Sequence, residues 1–290
     1  MNPYDIEIKV AAIGLNRADL YIQQGLYRPG AKPGLEVSGT VTAMGSEARR
    51  FKIGDKVCAL LDGDGHRKSV TITEALALPA PEGLPLEHAA ALPEAMATVY
   101  LNLFILARLK PSDRLLVHGG TSGIGIMAIQ MARAIGAEVT ATCGSPEKCQ
   151  LALQLGAAHA IDYKREDFTK PGGFDIILDI VGAPYLQKNI DALAPNGKLL
   201  IIALIEGSRA ELPMGKLLLK NLTITGSTLS SRTLEERYTI LEALREFWWP
   251  KITSGQIRPV IDSTYPLAEV QAALVRMETF GHMGKILLVP

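Results

Sequence analysis

Net charge is what this sequence lacks first: 30 lysines and arginines offset 30 aspartates and glutamates over 290 residues. A neutral chain gives no electrostatic case for nucleic acid or an anionic membrane as partner. Cysteine is scarce. Cys58, Cys143 and Cys149 form neither a C-x-x-C pair nor an even framework, which predicts a reducing compartment, read as the cytoplasm. His66, His88, His118, His159 and His282 show no ligand spacing. They are read as surface or capping residues, and no metal is expected. No apolar run approaches the ~18 residues of a membrane span, and no apolar leader follows Met1. The chain therefore reads as soluble and untargeted. Neither an internal repeat nor a low-complexity tract is present.

Apolar residues are plentiful, at 48%, enough for one large or two ordinary cores. The most informative stretch runs from Asp113 to Gly136. Arg114 to His118 has the length and composition of a buried parallel strand. Gly119 to Gly125 is a glycine-rich turn. Ile124, Met127, Ala128, Met131, Ala134 and Ile135 then fall at helical spacing, and Gly136 is a natural stop. Strand, glycine turn and helix make the phosphate-binding unit of a dinucleotide fold. Glycine lets the backbone turn sharply and approach a pyrophosphate, and the helix start offers unpaired N–H groups to its charge. The pattern departs from G-x-G-x-x-G: with Gly125 last, Gly120 is first, Ser122 holds the middle position and Gly123 is extra. Gly120, Thr121, Ser122, Gly123 and Ile124 are the candidate phosphate contacts.

A second strand, Glu138 to Cys143, follows at the βαβ spacing the fingerprint requires. NAD sites usually close this strand with Asp or Glu, which accepts hydrogen bonds from the ribose. Here it ends Cys143-Gly144-Ser145-Pro146-Glu147-Lys148, with no carboxylate at the tip. Gly144, Ser145, Lys148 and, after a third strand from His159 to Asp162, Tyr163 are the candidate contacts to a 2′-phosphate. NADPH is the expected cofactor. Glu147 is the discordant residue, and Ser145 is equally suited to cap a helix that carries Pro146 at its first position.

Val117 to Phe168 (V-H-G-G-T-S-G-I-G … L-G-A-A-H-A-I-D-Y-K-R-E-D-F) resembles the zinc-independent quinone oxidoreductases, the zeta-crystallin-like group of the medium-chain dehydrogenase/reductases. The likeness extends over nearly the whole chain. It implies an α/β protein: a doubly wound parallel (Rossmann) sheet over residues 96–231, and a β-rich GroES-like catalytic domain from residues 1–95 and 232–290. Zinc-dependent relatives carry a histidine ligand where Leu35 stands in Gly34-Leu35-Glu36, and leucine cannot bind zinc.

The remaining segments fit that frame. Asp5 to Ile13 alternates as a half-buried strand, and Val37–Met44, Asp55–Leu61 and Ser69–Ile72 are further short strands. Leu76–Leu84 reads as irregular, and Pro85–Leu109 as mostly helical with a break at Pro93. Runs at 173–181, 198–204 and 222–227 alternate with helices at 147–155, 183–194 and 213–220, the rhythm of a parallel sheet. Ligands bind beyond the carboxyl ends of such strands, where Val181, Ala203, Leu204, Leu229 and Ser230 stand. By resemblance Asn16 and Tyr27 face the nicotinamide and substrate, Thr98 contacts the nicotinamide end, and Lys285 or its backbone approaches the cofactor. Local chemistry offers other roles: Asn16 as the cap of a helix over 17–24, Tyr27 as a core residue, Thr98 bonded to its own helix.

Three departures fall on the substrate lobe and its surroundings. The strand pair that opens family members is missing, the loop from Tyr27 to Gly34 is short, and so is the link from Asp167 to Asp175. A smaller change puts Ser69 where an aromatic residue is usual. The expected activity is metal-free transfer of hydride from NADPH to a quinone or activated enone, with the Tyr27 phenol and backbone N–H groups, rather than a strong acid, as the donors on offer. Two rivals stand beside it. One is an enoyl-thioester or alkenal reductase using the basic cluster Arg49, Arg50 and Lys52. The other is an NADPH-binding protein with little turnover. An uncharged last strand, 222–229, predicts a homodimer formed by pairing across a two-fold.

Overall fold

A computed structural model describes every residue, Met1 to Pro290. In chain order it contains β1 (Asp5–Gly14), α1 (Arg17–Gln23), β2 (Glu36–Met44), β3 (Lys56–Leu60), β4 (Ser69–Thr73), β5 (Ala77–Pro79), α2 (Leu86–Ala89) and α3 (Pro93–Val99). Next come β6 (Arg114–His118), α4 (Gly123–Ala134), β7 (Glu138–Cys143), α5 (Pro146–Gln154), β8 (His159–Asp162), β9 (Phe174–Asp179), α6 (Leu186–Ala192), β10 (Leu193–Ile201), α7 (Met214–Leu219) and β11 (Thr223–Gly226). The chain closes with α8 (Leu234–Ala243), α9 (Trp249–Thr253), β12 (Ile261–Pro266), α10 (Val270–Glu278) and β13 (Lys285–Val289).

The chain divides into two compact units. One is Met1–Ala97 with Arg232–Pro290; the other is Thr98–Ser231. In the first, a mixed sheet runs β12-β13-β1-β2-β3-β5, with β4 also pairing β1. The β1–β2 ladder is broken between Glu7 and Ile8 and again between Val10 and Ala12, and such bulges increase twist and let a sheet curl. Ile6, Ile8, Ile13, Val37, Val57, Ile286 and Leu288 fill its core. The irregular reading of 76–84 misses β5, which pairs Val57 with Pro79 and Ala59 with Ala77. Proline fits there because β5 ends the sheet path, where its missing N–H has no ladder bond to make.

In the second unit six parallel strands run β11-β10-β9-β6-β7-β8. Read from β8, the order is 3-2-1-4-5-6, the doubly wound arrangement, with its switch point between β6 and β9. Leu116, Phe168, Phe174, Ile177, Leu193 and Leu199 pack on it. The helical run Leu86–Leu106 falls within the expected Pro85–Leu109. It spans 21 residues at mean hydropathy 1.5, apolar and long enough by composition to cross a membrane, yet its most apolar window is 67% buried, as in a core helix. The run is interrupted just before Pro93, as expected: α2 ends at Ala89, and the ring sits at the first position of α3. The run widens at Tyr100–Leu106, a π-helical turn where Ala107 N–H reaches Asn102 O.

Candidate active site

The carboxyl ends of the six parallel strands gather most of the expected cofactor residues. Gly120 to Ile124 follow β6, Gly144 to Lys148 follow β7 and Tyr163 follows β8. Val181 follows β9, Ala203 and Leu204 follow β10, and Leu229 and Ser230 follow β11. The turn after β6 is closed by backbone contact. A Cβ on Gly125 would lie 2.3 Å from Gly119 O and 2.8 Å from Gly120 C. Ser122 caps α4, its Oγ accepting from Gly125 N–H at 3.0 Å. The first-turn amides before it, on Gly123 and Ile124, have no intrahelical acceptor. Such amides at the positive end of a helix receive an anion.

At the tip of β7 a Cβ on Gly144 would meet the Tyr163 hydroxyl at 2.7 Å. Tyr163 thus lies over Gly144, 42% exposed, with its N–H on Cys143 O at 3.1 Å. Ser145 caps α5 and accepts from Lys148 N–H at 3.3 Å. Its hydroxyl also bonds to Glu147, whose carboxyl is held below its usual range by its own N–H and by Ser145. Ser145 is thus a helix cap, and it stands where no carboxylate ends the strand.

His118 is where sequence reasoning goes astray. Expected at the surface or at a cap, it is buried at the end of β6, 1% exposed. Nδ1 lies 3.0 Å from Thr142 Oγ1 and Nε2 lies 2.7 Å from Asn189 Oδ1. Asn189 Nδ2 donates to Asp179 Oδ2 at 3.2 Å, so Asn189 Oδ1 is the acceptor and Nε2 of His118 carries the proton. Burial lowers the His118 pKa to about 4 and raises that of Asp179 to about 6. Asp179 Oδ1 in turn accepts from Val181 N–H at 2.7 Å. This chain of bonds links the ends of β6, β7 and β9 and fixes the backbone of the loop that carries Val181. The one available signal was position: His118 closes an apolar strand.

Thr98 begins the second unit. Its carbonyl accepts from Asn102 Nδ2 at 2.9 Å, and Asn102 Oδ1 accepts from Ser227 Oγ at 2.9 Å. Thr98 is therefore tied to the end of β11.

In the first unit the structure brings Asn16 and Lys285 together around a carboxylate absent from the sequence-based site. Glu36, at the start of β2, is fully buried. Its Oε1 accepts from Asn16 Nδ2 at 2.9 Å and forms an ion pair with Lys285 Nζ. Its Oε2 accepts from Glu94 N–H at 2.9 Å. Lys285 Nζ also donates to Asn16 Oδ1 at 2.7 Å. Asn16 stands at the N-cap position of α1, and Asp19 reaches back to its N–H at 2.7 Å while holding Gly34 N–H at 2.7 Å. The expectation for Lys285 changes accordingly. Its ammonium is committed to Glu36 and Asn16 and its N–H to Val260 O at 2.8 Å, so it positions Asn16 from below. Tyr27 is itself half-buried in the largely exposed loop after α1.

Residues 2–84 match the alcohol dehydrogenase GroES-like domain and residues 123–247 the zinc-binding dehydrogenase domain. A quinone oxidoreductase of Pseudomonas aeruginosa is 32% identical over 301 residues, covering 99% of this chain and 92% of that protein. The chain belongs to the zinc-independent quinone oxidoreductases of the medium-chain dehydrogenase/reductase superfamily. The quinone oxidoreductase of Escherichia coli, solved in complex with NADPH, superposes with a TM-score of 0.89 at 29% identity, covering 100% of this chain and 92% of that one. A synaptic vesicle membrane protein VAT-1 homologue of Danio rerio is 31% identical over 98% of the chain, which spans 64% of that relative's length.

This quinone oxidoreductase family member does not fit the metal in its domain's name. Leu35 is buried where zinc-dependent relatives place a ligand, Glu36 is saturated by Lys285, Asn16 and the Glu94 N–H, and no three His, Cys, Asp or Glu side chains converge. A dinucleotide does fit. The glycine turn leaves no room for a side chain at Gly125, and the capped start of α4 supplies anion-binding amides.

Proposed function

We propose that this chain is an NADPH-dependent reductase that transfers hydride, without metal, to quinones or to the β-carbon of enones and alkenals. The observation that carries the reading is the pair of strand tips: a glycine turn and capped helix after β6, and Gly144, Ser145, Lys148 and Tyr163, without a carboxylate, after β7 and β8. The nicotinamide cofactor supplies the hydride when bound. Gly120 to Ile124 hold the pyrophosphate. Ser145 and Lys148 hold the 2′-phosphate, which takes the Ser145 hydroxyl from the exposed Glu147. Thr98, Val181, Ala203, Leu204, Leu229 and Ser230 line the nicotinamide end. Asn16, fixed by Lys285 and Glu36, and the Tyr27 phenol orient the acceptor. Holding two planar partners in register lowers the barrier chiefly by orientation.

The alternative, an enoyl-thioester or alkenal reductase, is supported by the likeness to the CurK enoyl reductase, 25% identical at a TM-score of 0.85, but two of the three residues of its basic cluster are engaged elsewhere. Arg50 is paired with Glu242 at 2.6 Å and bonded to the Tyr238 hydroxyl at 3.0 Å, while Arg49 folds onto Ser46 O and Ala48 O. The test is NADPH oxidation with 1,2-naphthoquinone, 9,10-phenanthrenequinone and a simple enone, beside fluorescence titrations with NADPH and NADH. Turnover with NADPH bound at least about tenfold tighter, ~1.4 kcal/mol, is the expected result. Equal affinities overturn the cofactor assignment, and tight binding without turnover favours a binding protein.

The chain is further proposed to be cytoplasmic and to form a homodimer through β11. That strand pairs only β10, and α7, which leads into it, exposes Met214, Leu218 and Leu219 at 71%, 80% and 87%. An open edge beside apolar side chains is a pairing surface. Light scattering at micromolar concentration is expected to give the mass of two chains. A monomer refutes the assembly.

A further inference from the structure

Val117 on β6 pairs with Leu178 on β9, so the next residues, His118 and Asp179, end the two strands that flank the switch point of the parallel sheet. Four polar side chains are buried there together: His118, Thr142, Asp179 and Asn189 are each no more than 1% exposed. Their hydrogen bonds all run one way. With the proton on Nε2, His118 accepts at Nδ1 from the Thr142 hydroxyl at 3.0 Å and donates to Asn189 Oδ1 at 2.7 Å. Asn189 Nδ2 donates to Asp179 Oδ2 at 3.2 Å. Asp179 closes the series as an acceptor: Oδ1 takes the Val181 N–H at 2.7 Å, and both oxygens share the Gly182 N–H at 3.3 Å. At the other end Thr142 is bonded to the phosphate turn. Its carbonyl accepts from Gly120 N–H at 2.9 Å and its hydroxyl oxygen from Gly119 N–H at 3.4 Å. The Val181–Gly182 backbone is closed in from its other side as well. Glu206 N–H donates to Val181 O at 2.9 Å, and Gly182, at φ +92°, leaves only 2.6 Å between a Cβ and Gly207 O.

We propose that Asp179 and Asn189 are positioning residues for the nicotinamide: with His118 they tie the Val181–Gly182 backbone to the phosphate turn, so that the grip on the pyrophosphate also sets the place of the ring. The assignment rests on the NADPH reading above, in which Val181 stands at the nicotinamide end, and it deepens that reading with residues that act through the backbone. Every member belongs to one compact unit, Thr98–Ser231. A carboxylate suits the end of the series because two neighbouring amides and an Asn amide need an acceptor with several lone pairs, and its charge strengthens each bond. Burial raises the Asp179 pKa to about 6, against the bonds from Val181, Gly182 and Asn189, and it is ionised at neutral pH. Burial lowers the His118 pKa to about 4, so His118 is neutral there. A single charge at one end orients every dipole before it, and a buried series with each member satisfied is rigid. The wall of the ring site is therefore ordered before the cofactor arrives, and binding does not have to order it.

The experiment cuts the series in the middle and leaves its turn end alone. Asn189→Leu removes the link between His118 and Asp179, while Thr142 keeps its bonds to Gly119 and Gly120. Asp179→Ala removes the acceptor of the two amides, and Asp179→Asn keeps an oxygen for them without the charge. NADPH is titrated by fluorescence. Calorimetry follows 2′-phospho-ADP-ribose, which has the phosphates of NADPH and lacks the nicotinamide. Asn189→Leu and Asp179→Ala are expected to bind NADPH about tenfold more weakly and 2′-phospho-ADP-ribose within about twofold of wild type. At saturating NADPH, hydride transfer to the quinones should slow about 10²-fold. Asp179→Asn should fall between these variants and wild type, and it decides the matter together with Asn189→Leu where Asp179→Ala does not fold. In the cofactor-free protein, hydrogen exchange at the Val181 and Gly182 amides should be slow in wild type and at least about tenfold faster in Asn189→Leu, with Gly120 unchanged. Equal losses of NADPH and 2′-phospho-ADP-ribose affinity overturn the proposal and leave the NADPH reading intact. So do wild-type NADPH affinity and transfer rate in the variants, or fast exchange at Val181 and Gly182 in wild type. Wild type that binds neither ligand refutes that reading and this proposal with it.

Discussion

Lys285→Met is expected to lower the unfolding free energy by about 3–5 kcal/mol. The Lys285 side chain is 6% exposed and that of Glu36 is not exposed at all. Removing the ammonium leaves a buried carboxylate with two neutral donors, Asn16 Nδ2 and the Glu94 N–H, and no counter-charge. Desolvating an unpaired ion costs more than the pair ever contributed, so the loss is large even though buried pairs are weak net stabilisers. The methionine fills the lysine stem's volume, which keeps a cavity from confusing the result. Urea unfolding is the measurement, and the double variant Lys285→Met with Glu36→Gln is expected to recover most of the loss, since it removes the orphaned charge as well. A single variant of wild-type stability refutes the assignment. One that keeps its stability but loses NADPH affinity returns Lys285 to the cofactor.

Gly125→Ala is expected to reduce NADPH affinity by about 10²-fold or more, ~2.7 kcal/mol, and to cost about 1–3 kcal/mol of stability. The reason is what the added methyl meets. Its neighbours at 2.3 and 2.8 Å are Gly119 O and the Gly120 backbone, which belong to the phosphate turn and cannot rotate away as a flexible side chain would. Relief has to come from opening the turn, and that moves the amides of Gly123 and Ile124 off the phosphate position. Gly215→Ala is the matched control, because nothing lies within 4 Å of a Cβ there and alanine favours a helical position. Fluorescence titration of both variants, with urea unfolding alongside, separates cofactor binding from stability. A Gly125→Ala protein that binds NADPH like wild type means the turn does not hold the pyrophosphate.

The cofactor half was legible because its determinants are local. Strand, glycine turn and helix from Arg114 to Ala134 lie within one continuous stretch, and the residues at each strand end can be counted along the chain. The absence of an acid after Cys143 needs no structure to be seen. Composition alone likewise showed a neutral chain without a cysteine framework.

The polar centre of the first unit was not legible, because it is assembled from distant segments. Asn16, Glu36, Glu94 and Lys285 come from α1's start, β2, α3 and β13, and no periodicity relates them. In sequence Glu36 is one acidic residue in a strand and Glu94 one in a helix. Only burial at a common point turns the first into a counter-ion and raises the pKa of the second. His118 tells the same story, since it meets Thr142 and Asn189 only after β6, β7 and α6 have packed. Local pattern determined the strand, glycine turn and helix from Arg114 to Ala134. Tertiary structure decided which side chains lose water together, and so which of them keep their charge, keep their proton or hold a neighbour in place.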